Sequence, residues 1–150
     1  MVMRGALAAA VALAAFAAAA AEVAPDAVSI VDGEVAAPIA APGDPAAGRK
    51  TFADRKLGNC LACHANSDQK SELFQGDVGP AIDGVAERYT EAQLRAIVVN
   101  SKKVFGDQTI MPGFYTFEVG KNPAEQFAGK TILTAQQVED VVAYLQTLKD

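Results

Sequence analysis

The chain has 150 residues and a formal net charge of −5, with 13 basic against 18 acidic side chains. That length fits one domain, and the acidic balance excludes a nucleic-acid binder, which needs basic phosphate contacts. Its two cysteines and single histidine fall within one pentapeptide, which excludes a disulfide-dense scaffold and a zinc site closed by Cys and His alone.

Met1-Val2-Met3-Arg4 is a short positive start, and Gly5 to Phe16 is apolar. Ala19-Ala20-Ala21 then supplies small residues ahead of Glu22. This layout predicts a secretory signal peptide over 1–21, cleaved after about Ala21, and a periplasmic mature protein free of the membrane. An uncleaved anchor is the alternative, at the bottom of the spanning length and rich in weakly hydrophobic Ala. Residues 22–43 form an extended arm with Pro25, Pro38 and Pro42. Within it, Asp32-Gly33 would suit the tight turn of a small hairpin over 28–35. The arm is a candidate for wrapping a partner.

The folded domain is expected over 44–150. Asp44-Pro45 reads as an N-cap with proline at the first helical position, and Gly48 and Phe52 share one face of the helix that follows. Thr90 and Gln93 form a capping-box pair that starts a second helix, with Leu94, Ile97, Val98 and Val104 on its buried face. Thr134 and Gln137 repeat the device, and Val138, Val141, Val142, Leu145 and Leu148 trace the last helix. Three helices with long loops make a thin core, and a large apolar cofactor would fill it.

Cys60-Leu61-Ala62-Cys63-His64 is C-x-x-C-H, the attachment sequence for c-type haem. Two thiols three apart reach the two vinyl groups of a porphyrin, and the adjacent imidazole lies under the iron. A thioredoxin-like motif would want a βαβ setting, zinc a fourth ligand, and a disulfide across this spacing would be strained. Elimination supplies the other axial ligand. Met111 is the only methionine outside the expected signal peptide, and Pro112 stiffens its loop. A thioether ligand raises the reduction potential and closes the iron to oxygen and peroxide. Pro80 offers a carbonyl on a rigid turn to fix the second ring nitrogen of His64, although Gly79-Pro80 also reads as an ordinary turn. Phe114, Tyr115 and Phe117 suit haem packing better than a docking patch. Arg88, Arg95, Lys102 and Lys103 would meet haem propionates or an acidic partner, or simply face solvent.

Together these elements resemble a class I cytochrome c, an all-α fold of helices and long loops around one covalent haem. Gly48-x-x-x-Phe52, C-x-x-C-H, Gly79-Pro80, Met111-Pro112 and Tyr144-Leu145 carry the likeness across 44–150. Val99-Asn100-Ser101-Lys102 and Met111-Pro112-Gly113-Phe114-Tyr115 narrow it to the SoxX family of cytochrome subunits. The resemblance implies one haem c held by Cys60 and Cys63, with His64 and Met111 as axial ligands. It implies a heterodimer with SoxA, which joins thiosulfate to a cysteine of the SoxYZ carrier as an L-cysteine S-thiosulfotransferase. This chain would have no catalytic residue of its own: it would relay the released electrons to a small cytochrome c, while the active-site cysteine sits on SoxA. Two alternatives remain, a free-standing electron shuttle and a five-coordinate gas-binding cytochrome. The second would lack Met111 and place C-x-x-C-H near the C-terminus.

Overall fold

The computed structural model describes residues 21–118, 123–125 and 128–149. The expected signal peptide, apart from Ala21, lies outside the described residues. Among the described residues there are four α-helices: α1 Pro45–Ala53, α2 Val85–Arg88, α3 Glu91–Phe105 and α4 Ala135–Leu145. No strand occurs among the described residues. No described helix is long and apolar enough to cross a membrane.

Local chemistry sets the helix starts. Asp44 accepts from the Ala46 N–H ahead of Pro45, and Thr90–Gln93 and Thr134–Gln137 close reciprocal capping boxes. Each such cap satisfies amides that the first helical turn leaves unpaired. The C-terminal stripe extends past its helix. Helix α4 ends at Leu145, and Leu148 is buried from the turn that follows. The short α2 was not anticipated; it starts behind Gly84, whose φ of 64° is left-handed.

Helices α1 and α4 cross at Gly48. A Cβ there would lie 1.8 Å from the Asp140 carbonyl oxygen and 2.9 Å from Tyr144 Cβ. The backbones therefore touch because residue 48 has no side chain. One turn on, the Phe52 and Tyr144 rings meet edge to face with centroids 5.6 Å apart. We predict that Gly48→Ala forces the pair apart and costs at least about 1–3 kcal/mol, the range for overpacking. Thermal unfolding of the holoprotein checks this, and an unchanged midpoint would contradict it.

The arm does not hang free. Val35, Ile39 and Ala40 are buried in the main apolar cluster with Phe52, Leu94, Val98, Val138 and Leu145. Its Asp32-Gly33 turn carries positive φ at both residues and joins Val31 and Glu34 through one antiparallel bridge rather than paired strands. Polar contacts fasten it as well. Ile39 N–H donates to Glu139 Oε1 at 2.8 Å, Val35 N–H to the Ala92 carbonyl at 3.1 Å, and Tyr115 OH to the Val23 carbonyl at 2.8 Å. Val35, Ile39 and Ala40 thus dock the arm on its own domain, while Val31 stays exposed.

Arg95 lies inside this junction and not on a charged surface. It is 2% exposed. Its Nε donates to Glu139 Oε1 at 2.8 Å, and its Nη1 to the Val35 carbonyl at 3.1 Å. Glu91 pairs with its remaining nitrogen. Such burial of a charge is tolerated only with this full set of partners.

Candidate haem site

The pentapeptide begins on a 3-10 turn, Cys60–Ala62, behind Asn59 in the left-handed region at φ 48°. Cys60 and Cys63 form no disulfide. Burial pushes the Cys60 thiol up to about 12.

His64 is fixed from two sides. Its Nδ1 lies 2.7 Å from the Pro80 carbonyl oxygen, a contact that places the proton on Nδ1 and leaves the Nε2 lone pair for a metal. Gly79 forms the floor of the ring. A Cβ at Gly79 would lie 2.3 Å from His64 Cε1 and 2.7 Å from Nδ1. The imidazole can take this seat only over a glycine. Two cysteines outside any disulfide and one oriented imidazole fit the donor set of a covalent haem, and Gly79 gives the ring its seat.

The segment between the pentapeptide and Gly79 folds back along it as a brace. Gly76 N–H donates to the Leu61 carbonyl and Gly79 N–H to the Cys63 carbonyl, each at 2.8 Å. Ile82 N–H reaches the Ala65 carbonyl at 2.9 Å. Tyr144 of α4 anchors the brace: its hydroxyl accepts from Asn66 Nδ2 at 2.9 Å and Gln69 Nε2 at 3.0 Å. It donates to Asp68 Oδ2 at 2.7 Å. The Tyr144 bond, with Arg49 as a second partner, holds the Asp68 carboxyl below its ordinary value.

A lowered carboxylate contributes stability above its unfolded pKa and loses it as pH falls through the folded one. Asp68→Asn should therefore flatten the rise of stability with pH on the acid side. Unfolding midpoints measured across that range check it, and an unaltered slope would refute the assignment.

Met111 is half-buried against the same apolar cluster as Cys60. Its loop is held by α3, which is not continuous. Asn100 leaves helical geometry at φ −154° and ψ 89°. In an unbroken helix the Val98 and Val99 carbonyls would accept from Lys102 and Lys103. Here they accept from the Phe114 and Tyr115 amides, both at 3.1 Å. Gly113 fits against the break, where a Cβ would meet Thr116 Cγ2 at 2.6 Å and Asn100 Oδ1 at 3.2 Å.

The other residues singled out in the sequence are placed as follows. Arg88 donates to the Ala81 and Asp83 carbonyls, and Lys102 Nζ donates to the Thr109 carbonyl at 2.6 Å. Lys103 is exposed. Phe114 and Tyr115 are buried, whereas Phe117 is half exposed. Sequence reasoning missed the Asn100 break, and the signal was present: Asn and Ser in mid-helix compete for backbone hydrogen bonds.

The sequence profile of the cytochrome c family matches residues 45–149. The chain belongs to the cytochrome c family. It is 44% identical to a chain of SoxXA from P. pantotrophus, with a TM-score of 0.79, over 86% of this chain and 99% of that one. This cytochrome is therefore a monohaem electron-transfer protein of the SoxX type, with a covalently bound haem c and the class I fold. It is also 26% identical to the c-type cytochrome SorU from Sinorhizobium meliloti, with a TM-score of 0.42, over 70% of this chain and 90% of that one. Ferric cytochrome c-550 from Paracoccus versutus is 23% identical, with a TM-score of 0.38, over 72% and 99% respectively. No curated protein matches the chain.

Proposed function

We propose that this cytochrome is the electron-relaying subunit of a periplasmic SoxAX-type heterodimer. The larger SoxA subunit joins thiosulfate to a cysteine of the SoxYZ carrier. That S–S bond formation releases two electrons, which pass singly through this haem to a small cytochrome c. The observation that carries the reading is the 44% identity extending over 99% of a chain from SoxXA.

In this reading Cys60 and Cys63 would hold the haem through thioethers, and His64 and Met111 would bind its iron. Pro80 holds His64 by its carbonyl, the contact that raises the basicity of a ligating imidazole. The haem supplies a one-electron couple and no open coordination position. With both cysteines committed, this chain offers no thiol for the sulfur chemistry, which falls to the partner. Residues 1–21 serve as the export signal, 22–43 as the docked arm and 44–150 as the haem domain.

Native mass spectrometry of untagged protein from its own periplasm, with a haem count per particle, tests the pairing. The expected particle contains this chain and a larger haem protein. A lone chain carrying one haem would favour a free-standing electron shuttle instead.

A further inference from the structure

We infer that Ser101 and Lys102 are positioning residues that clamp the 109–113 loop and so keep Met111 on the iron. The inference rests on the reading of Met111 as axial ligand.

Both residues sit on the turn of α3 just beyond the Asn100 break. Ser101 is fully buried. A serine hydroxyl inside a helix ordinarily bonds back to its own preceding turn. Ser101 Oγ instead donates outward, to the Met111 carbonyl at 2.6 Å, with the Pro112 carbonyl at 3.3 Å. Lys102 Nζ spans the start of the same loop to the Thr109 carbonyl at 2.6 Å. With the Phe114 and Tyr115 amides on the freed carbonyls of Val98 and Val99, the loop is tethered on both sides of the methionine.

Little else holds that loop on its N-terminal side. Phe105 is 51% exposed and Ile110 77% exposed, and Gly106, Asp107 and Gln108 are exposed too. A segment with few buried apolar contacts opens at low cost. Met111 brings no charge of its own, so its residence depends on how firmly the backbone on either side is fixed. The Asn100 break serves this purpose, because it directs the next helical turn at the loop.

The test uses the holoprotein with its haem attached, in Ser101→Ala, Lys102→Ala and the double variant, with Lys102→Arg as the conservative control. Carbon monoxide binding to the ferrous protein reads the population with the methionine dissociated. The midpoint potential and the long-wavelength thioether-to-ferric-iron band read the ligand directly. Each alanine variant should raise the carbon monoxide binding rate about fivefold, the factor set by one net hydrogen bond. The double variant should exceed either single, with a lowered potential and a weakened band, while Lys102→Arg stays at the wild-type rate.

A double variant with unchanged rate, potential and band would overturn the clamp. Lys102→Ala decides the matter alone if loss of the buried Ser101 hydroxyl prevents folding, because residue 102 is only half-buried. Met111→Ala separates the two ideas. If that variant keeps the band and the potential, Met111 is not the ligand and the underlying reading fails; if it loses them, only the clamp is in question.

Discussion

Arg95→Leu is expected to destabilise the holoprotein by about 3–5 kcal/mol, the cost of leaving one partner of a buried ion pair uncompensated. Arg95 and Glu139 are both almost fully buried, with side-chain exposures of 2% and 4%. Glu139 accepts two bonds from the guanidinium, at 2.8 and 3.0 Å. The Ile39 amide alone would remain to it in the variant. The loss would also leave the Val35 carbonyl without its Arg95 partner, removing one of the arm's ties to α3. The double variant Arg95→Leu, Glu139→Leu should recover much of the loss, since apolar replacement of a whole buried pair is often near neutral. Urea unfolding of the three proteins measures the difference. A loss below about 1 kcal/mol for Arg95→Leu would match an exposed pair and contradict the burial.

Deleting residues 22–43 is expected to lower stability before it affects any partner, because it removes Val35, Ile39 and Ala40 from the core. The Pro-rich composition predicts an extended arm, and the three prolines do not prevent docking of the apolar side chains between them onto the arm's own domain.

Gly79→Ala is expected to disrupt the haem site itself. The added methyl would occupy the seat of the His64 ring, 2.3 Å from Cε1, and overpacking of this kind costs about 1–3 kcal/mol or more. The imidazole must tilt or withdraw, and its bond to the Pro80 carbonyl goes with it. The thioethers would keep the haem attached, so the effect should appear as altered ligation, a shifted midpoint potential and a lower unfolding temperature. Pro80→Ala provides the contrast, because it retains the carbonyl that His64 uses, and its effects should be small. Equal behaviour of the two variants would show that the ring is not seated on Gly79.

The sequence makes some parts of this molecule readable and hides others. Helix starts were readable because capping is local: Asp44-Pro45, Thr90–Gln93 and Thr134–Gln137 each satisfy their own first-turn amides. The pentapeptide was readable because covalent chemistry fixes its spacing. Gly48 was readable as a partner of Phe52 on one face, though only the crossing with α4 explains why no larger residue fits. The brace over 65–79 was hidden, since its anchor, Tyr144, lies far along the chain from Asn66 and Asp68. Arg95 was misread because a sequence does not distinguish a charge facing solvent from one that is buried and fully paired. The Asn100 break was hidden for a related reason: the loop amides that compensate for it come from residues 114 and 115.

The most direct test of the account follows the haem and the sulfur together. The isolated complex would be mixed rapidly with thiosulfate and reduced SoxYZ-type carrier, while the absorbance of this subunit's haem and the mass of the carrier are recorded. The account predicts that ferrous haem appears in step with a carrier bearing the thiosulfate adduct, and that Met111→Ala slows the haem signal. Formation of the adduct at full rate while this haem stays ferric would contradict an electron-relaying role.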